Sequence, residues 1–486
     1  MYHKCSWMEL YVKTLLALLL LIPSLSWGLT FKDGKQVDGN EKTRDKELKS
    51  EEISSDIIGR WRGLANCEWN GRYELGNGII EGVIDLVIKK DKKDPNKVII
   101  KKEKWLWPSF GGRVKIKSFK VNENSFEIVS KEPVDDKDNT RKWFGKMSSN
   151  DHIEVTDEYN NCDALLYRAE NVTFEAFTPR IPIDFIDGVE NDQKYTIEGF
   201  LTYPQEQKEK YPLMILIMNS ACDFGQRNFT LGQDIKKAGV ATLEIDSCLP
   251  RGLSIYNMII QGNSSKLTPW MGAADALYGL KHMQSHPKID PEKIAVMGFS
   301  WGGSAAVYTG LDMIRKPIID DENLNDFALR IGVYPYCRYL DKQGVTKNKI
   351  HFLTGEKDET TPALFCKDMA KNFNDFGGNA TIDIFPNAHH NFDGWSNWDE
   401  AEFSNQWFRV TKNCKYWLAA DGKRTWRMED KVIHLDNYDT WDVSADKHYK
   451  DYKKECEHWG VVEGRNNEAA INSAKKTISL LEEYLM

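Results

Sequence analysis

No stretch of this 486-residue chain is strongly basic, and its 65 Lys and Arg against 73 Asp and Glu leave a formal net charge of -8. Phosphate binding needs clustered cations, so nucleic acid is excluded as the main partner. No apolar run reaches the ~20 residues that a spanning helix requires. No His or Cys group has metal-ligand spacing, so the sequence offers no candidate metal or cofactor site. No segment repeats. What remains is the composition of a soluble globular protein, with 41% hydrophobic and 28% charged residues. The length exceeds one ordinary core, which predicts at least two domains.

The first residues read as an address. Lys4 and Lys13 precede the apolar run Leu15-Leu16-Ala17-Leu18-Leu19-Leu20-Leu21-Ile22, and Ser26-Trp27-Gly28 follows with small residues where a signal peptidase reads. Residues 1–28 are therefore expected to be a secretory signal peptide, not an anchor, which leaves no stable membrane span after its removal. Eight further cysteines, Cys67, Cys162, Cys222, Cys248, Cys337, Cys366, Cys414 and Cys456, form an even set, as disulfides of a secreted or periplasmic protein would. Eight cysteines allow 105 pairings. Pairing in chain order is the expectation, because each pair then falls inside one structural unit.

Residues 29–52 are polar and charged and predict a flexible leader. Residues 53–170 carry short, partly alternating β-branched runs at 83–88, 97–100, 113–117 and 152–156, separated by turn residues. This predicts a small antiparallel β-barrel or sandwich, with Cys67 near its start and Cys162 near its end. From about residue 171 to 486 the rhythm is strand, loop, helix. The run at 213–218 is apolar throughout, as in a strand buried on both faces, and 240–245, 294–297, 331–334, 350–354 and 381–385 continue the series. The expected fold class is α/β, a doubly wound and mainly parallel sheet with helices on both faces. Residues 395–459, rich in charge and carrying Trp398, Trp407, Trp417, Trp426 and Trp441, break the rhythm and read as an insertion or cap. A final helix at 467–485 is expected to present Ala470, Ala474, Ile478 and Leu481 on one face. Glycosylation triplets stand at Asn171, Asn228, Asn263 and Asn379.

Gly298-Phe299-Ser300-Trp301-Gly302 lies between the strand at 294–297 and a helix-forming stretch. Glycines there permit the sharp turn that lifts a serine hydroxyl clear of a sheet and aims the following N–H, that of Trp301, at a developing oxyanion. The plain alternative is a tight turn with Ser300 as helix N-cap. A serine hydroxyl needs a base, and the order expected on this scaffold is Ser, acid, His. Gly355-Glu356-Lys357-Asp358 follows the strand ending near 354, making Asp358 the acid with Glu356 in reserve; otherwise Asp358 is a turn residue or cap. His389 and His390 follow the strand ending near 385, and one of them is the expected base.

Together these stretches, with Gly303, Pro362, Ala388-His389-His390-Asn391-Phe392-Asp393, Asp246-Ser247-Cys248-Leu249-Pro250-Arg251-Gly252 and Tyr334-Pro335-Tyr336-Cys337, resemble the dienelactone hydrolase family of the α/β-hydrolase superfamily. The resemblance covers roughly residues 199–393, returns in the last helix and does not reach the β-rich region. It implies that His390 is the base and His389 its neighbour at the substrate. It also implies that a second oxyanion N–H comes from Asn219, Ser220 or Ala221, and that Arg251 reads a substrate carboxylate. An ion pair within the fold is the competing reading of Arg251. Ser300 stands where the namesake enzymes carry Cys, which moves the expected chemistry toward general carboxylic ester hydrolysis of a small-molecule substrate through an acyl-enzyme. A serine peptidase of similar fold and a non-catalytic binding protein on the same scaffold are the alternatives.

Overall fold

The computed structural model describes residues 30–32, 35–37, 55–70, 77–94, 98–107, 112–122, 124–131, 140–191, 193–220, 222, 225–253, 267–319, 321–394, 402–411, 415–427, 432–434 and 457–486. The expected signal segment and the cysteines Cys414 and Cys456 lie outside them. Inside the expected leader, β1 (Thr30–Lys32) and β2 (Lys35–Val37) pair as a short antiparallel hairpin. Among the described residues, no helix is long and apolar enough to cross a membrane. The chain divides into two compact units between Ala169 and Glu170.

The first unit is all β. Its strands are β3 (Gly59–Asn70), β4 (Asn77–Lys90), β5 (Val98–Trp107), β6 (Gly112–Arg113), β7 (Lys115–Asn122), β8 (Ser125–Lys131), β9 (Thr140–Ser149), β10 (His152–Asp157) and the first half of β11 (Cys162–Phe177). Successive strands pair antiparallel, with β6 continued by β7 after Val114, and β11 pairs back onto β3. The ladder thus returns to its start, as in an up-and-down barrel, and leaves no edge to protect. Trp61, Ile84, Leu86, Phe119, Ile128, Trp143, Ile153 and Leu166 fill one core. The two buried indoles keep their donors satisfied, Trp61 on the Ile57 carbonyl and Trp143 on Ser130 Oγ. Cys67 and Cys162 face each other in the β3–β11 register and form a disulfide, so the bridge joins the first and last strands of the barrel.

The second unit is built on a sheet ordered β19 (Asn379–Phe385), β18 (Lys349–Gly355), β16 (Leu329–Val333), β15 (Ile289–Phe299), β13 (Tyr211–Ile217), β14 (Ala241–Asp246), β12 (Lys194–Thr202). All neighbours are parallel except β12, which runs antiparallel to β14. Alternation along β13 explains its continuous apolar run. Leu213, Ile215 and Ile217 join the core on one face, and Met214 and Leu216 the core on the other. The first core takes α3 (Pro269–Met283), α4 (Trp301–Tyr308), α5 (Asp312–Arg315) and α6 (Ala363–Asp375). The second takes α2 (Gly225–Lys237) and α7 (Asn467–Leu485). A short helix α1 (Pro182–Asp187) precedes the sheet. This is the doubly wound α/β architecture that the rhythm of the sequence predicts.

One feature adds to expectation and a second departs from it. The Trp-rich segment is stranded: β20 (Glu402–Thr411) pairs with β24 (Glu457–Gly464), while β21 (Lys415–Leu418), β22 (Arg424–Arg427) and β23 (Val432–His434) extend the short strand β17 (Tyr339–Leu340). Trp417 stacks on Tyr339 at 5.1 Å, and Arg338 lies 3.6 Å from the ring centre of Tyr416, so aromatic and cation–π contacts pin these strands to the loop after β16. In α7 the buried stripe is Ala469, Ser473, Thr477, Leu480, Leu481 and Leu485; of the expected face, Leu481 is buried and Ile478 packs partly buried against the second core, while Ala470 and Ala474 give way to Ala469 and Ser473. Thr477 tolerates burial because its Oγ1 donates to the Ser473 carbonyl one turn back, at 2.9 Å.

His351 on β18 is buried beside β19, its Nδ1 2.7 Å from Thr381 Oγ1 and its Nε2 3.2 Å from Asp383 Oδ2, which Lys476 of α7 approaches at 3.7 Å. Burial pushes the imidazole down to about 4, against the pull of Asp383 and with help from Lys476 and Lys349. An unfolded chain protonates this residue near pH 6.5, whereas the folded one does so only near 4. Stability from this group is therefore complete above about pH 6.5 and declines as the pH falls toward 4, by about 3 kcal/mol in all. Denaturant titrations at pH 7 and 4.5 should show a smaller loss for His351→Asn than for the wild type. Equal losses would contradict this assignment.

Candidate active site

The loops at the carboxyl ends of β15, β18 and β19 meet at one point. Ser300 follows β15 directly and sits at φ 54°, ψ -114°, with its N–H donating to the Val333 carbonyl at 2.8 Å. Such a backbone persists only when its surroundings impose it, at a cost of about 1–3 kcal/mol. Here the imposition is close backbone approach. A Cβ on Gly298 would lie 2.3 Å from Gly302, and one on Gly302 would lie 2.3 Å from the Met218 carbonyl oxygen. The N–H of Trp301 opens α4, where no intrahelical acceptor exists. Its indole donates to the Leu267 carbonyl at 3.0 Å, which holds the residue from its other end.

Gly302→Ala would therefore press a methyl against backbone that cannot rotate away. We expect it to lower stability by about 1–3 kcal/mol and turnover at least tenfold, since roughly 1 Å of misplacement can cost about 100-fold. Thermal melts and ester kinetics on the variant test this, and an unaltered kcat would refute it.

His390 lies in the loop after β19, flanked by Asn387 and Asn391, both at positive φ. Its Nε2 is 3.0 Å from Ser300 Oγ and its Nδ1 is 2.8 Å from Asp358 Oδ2. The Asp358 carboxylate is fully buried and the His390 ring nearly so. Asp358 also serves as a turn residue, Oδ1 accepting the Thr361 N–H at 2.7 Å, so the two readings of Asp358 coexist in one side chain. Glu356, the reserve acid, instead accepts the Asn387 N–H at 3.0 Å and joins the Asp358 and His390 loops. A Cβ on Gly355 would lie 2.3 Å from the Ala388 carbonyl, so these loops too are in backbone contact.

His389 is buried beside His390. Asn219 and Ser220 follow β13, alongside the elbow that Gly302 packs against Met218; Ala221 lies outside the described residues. The Cys222–Cys248 disulfide ties this loop to the one after β14, and Cys337–Cys366 ties the loop after β16 to α6. All three described bridges thus pair neighbours in chain order. Among the described residues, the Arg251 guanidinium grips Asp275 with two hydrogen bonds of 2.9 and 2.8 Å and donates to Thr178 Oγ1 and the Ser247 carbonyl rather than to a group of the Ser300 loop.

Several residues around His390 were given no individual role by the sequence, although Tyr334, Phe392 and Asp393 lie in stretches that carry the family resemblance. Tyr334, at φ 35°, sets its ring edge-on to the imidazole at 4.7 Å and donates to Asp393 Oδ1 at 2.6 Å. The backbone of Glu463, 73 residues further on, bridges to His390, and the Asn466 N–H donates to the Phe392 carbonyl at 2.9 Å. Thr361 contacts both Asp358 and His390. A spacing rule could have found Thr361, three residues after an acid at a helix entry; nothing local marks Glu463.

A largely parallel sheet flanked by helices, with a serine elbow after the central strand β15 and a carboxylate and histidine after β18 and β19, defines the α/β-hydrolase class. Residues 264–417 match the model of the dienelactone hydrolase family, so this stretch of the chain is similar to a domain of that hydrolase family. The matched span includes Ser300, Asp358 and His390 and runs into the stranded insertion. Similar solved structures include the propionate-bound esterase Est2 of the Planctomycetes species Thermogutta terrifontis, at 14% identity and TM-score 0.33 over 41% of this chain and 82% of that one. The same organism's esterase 2 phosphorylated by paraoxon gives 15% identity and TM-score 0.34 over 48% and 87%. A Klebsiella pneumoniae protein described as a dienelactone hydrolase gives 14% identity and TM-score 0.32 over 46% and 89%. No curated protein matches the chain.

Proposed function

We propose that this chain is an exported serine hydrolase that cleaves carboxylic esters through an acyl-enzyme on Ser300. The observation that carries the reading is one continuous line of hydrogen bonds: Ser300 Oγ to His390 Nε2 at 3.0 Å, and His390 Nδ1 to buried Asp358 at 2.8 Å. As Ser300 Oγ attacks the ester carbonyl, its proton passes to His390 Nε2. Asp358 keeps the proton-bearing Nδ1 toward itself and stabilises the imidazolium. The tetrahedral oxyanion is held by the Trp301 N–H and by an N–H from the loop holding Asn219 and Ser220. His390 then protonates the departing alcohol. Water, deprotonated by His390 in turn, releases the acid and restores Ser300. Three disulfides among the described residues belong to an oxidising compartment, which favours a secreted or periplasmic location.

A fluorophosphonate probe tests the reading, since it traps a serine activated in this way. Stoichiometric adduct mapped to Ser300 supports it, and folded protein that stays unlabelled refutes it. Paired p-nitrophenyl ester and anilide substrates then separate esterase from peptidase, with the ester expected to turn over far faster. A chain-length series of p-nitrophenyl esters reads the depth of the acyl pocket.

A further inference from the structure

Thr361 occupies the loop between β18 and α6, buried, with four contacts that converge on the proton path. Its backbone N–H donates to Asp358 Oδ1 at 2.7 Å and its hydroxyl to Asp358 Oδ2 at 2.7 Å. The same hydroxyl oxygen lies 3.1 Å from His390 Nδ1 and 3.1 Å from the Tyr334 carbonyl. A hydroxyl has one proton to donate, and both a carboxylate and a backbone carbonyl only accept. The shorter contact, to the charged oxygen, takes that proton.

We propose that Thr361 is a positioning residue that sets the proton affinity of His390 by holding Asp358 through both carboxylate oxygens; this rests on the hydrolase reading above. Two donors from one residue fix the plane of the carboxylate, so Oδ2 faces Nδ1. The hydroxyl also draws charge from the very oxygen that His390 uses. A carboxylate so engaged is a weaker partner for an imidazolium, and His390 gives up its proton at lower pH than it would beside a carboxylate without that donor. The effect makes His390 a readier donor to the leaving alcohol.

Other groups face His390: Ser300 Oγ at Nε2, the edge of Tyr334 with its hydroxyl on Asp393, Glu463 through its backbone bridge, and neighbouring His389. All of them are retained when Thr361 alone is changed, so a difference between variants isolates the hydroxyl.

The test is a kcat/KM–pH profile with p-nitrophenyl acetate for the wild type, Thr361→Val, Thr361→Ala and Thr361→Ser, alongside histidine-selective NMR titration of the full chain. In Val and Ala the acid limb should move up by roughly half to one pH unit, with kcat on the plateau down roughly threefold to tenfold and KM unchanged. Ser should restore the wild-type limb, because it keeps the hydroxyl and loses only a methyl. The His390 resonance should show the same upward shift, whether or not the ester turns over. A wild type that turns over no ester through Ser300 therefore overturns the hydrolase reading alone. Folded Val and Ala variants with an unmoved His390 titration overturn the role of Thr361, as does a Ser variant that shifts as far as Val.

Discussion

Ser300→Ala is expected to lower kcat/KM toward a p-nitrophenyl ester by roughly 10⁴- to 10⁶-fold, leaving only the residual rate that the oxyanion donors and binding supply. The size of the loss follows from the absence of a substitute. His390 Nε2 points at Ser300 Oγ, and a water taking that place would lack the orientation that the backbone at φ 54° imposes on the hydroxyl. Stability should barely move, because Ala inherits the same backbone conformation and the Ser300 N–H keeps its bond to the Val333 carbonyl. The fluorophosphonate adduct should vanish with the activity. A variant that keeps more than about a hundredth of the wild-type rate would remove Ser300 from the mechanism and leave the hydrogen-bonded chain as a structural feature.

Arg251→Ala should destabilise the second unit by about 3–5 kcal/mol, the usual consequence of leaving a buried charge without its partner. The guanidinium is 3% exposed and the Asp275 carboxylate 1%, so solvent screens neither. Asp275 stands in the middle of α3, within the main core, and Arg251 reaches it from the short turn after β14. The loss should appear as a lowered unfolding midpoint. The folded fraction should hydrolyse a neutral ester at a rate within about threefold of wild type, since Arg251 contributes no transition-state contact in this arrangement. The double replacement Arg251→Met with Asp275→Leu should recover much of the stability, because removing both charges removes the penalty. The alternative role, reading a substrate carboxylate, predicts the opposite pattern: intact stability and a KM that rises for anionic esters only.

The sites differ in how far local sequence could reveal them. Ser300, Asp358 and His390 each lie within a few residues of a strand's carboxyl end, and in a parallel sheet the carboxyl ends of all strands share one edge. Three chemically apt residues in three such positions are therefore close in space by topology alone. Trp301 is legible for the same reason, since its N–H is aimed by the elbow it belongs to. Arg251 was less so. An arginine in a loop at that edge is compatible with a substrate contact or an ion pair, and only the tertiary structure shows the side-chain path to Asp275, 24 residues away, that makes the ion pair. The phase of α7 shows another such ambiguity. Ala470 and Ala474 are the more apolar choice beside Ile478, yet the helix turns Ser473 and Thr477 inward, and the Thr477 hydroxyl, bonded to its own helix, is buried at little cost.

By itself the sequence determined the parallel sheet, the barrel's strand-rich character and the candidacy of Ser300, Asp358 and His390. Each of these depends on short-range pattern: period-two burial, turn chemistry, or residues a fixed step beyond a strand. The tertiary structure alone decided what surrounds them. It closed the first unit into a barrel through the pairing of its first and last strands, gave Arg251 to Asp275, brought Glu463 beside His390, and set the Thr361 hydroxyl between Asp358 and His390. The reason is physical. Those outcomes depend on where distant side chains and backbone groups meet, and no local propensity or spacing encodes a meeting between residues that the chain itself holds far apart.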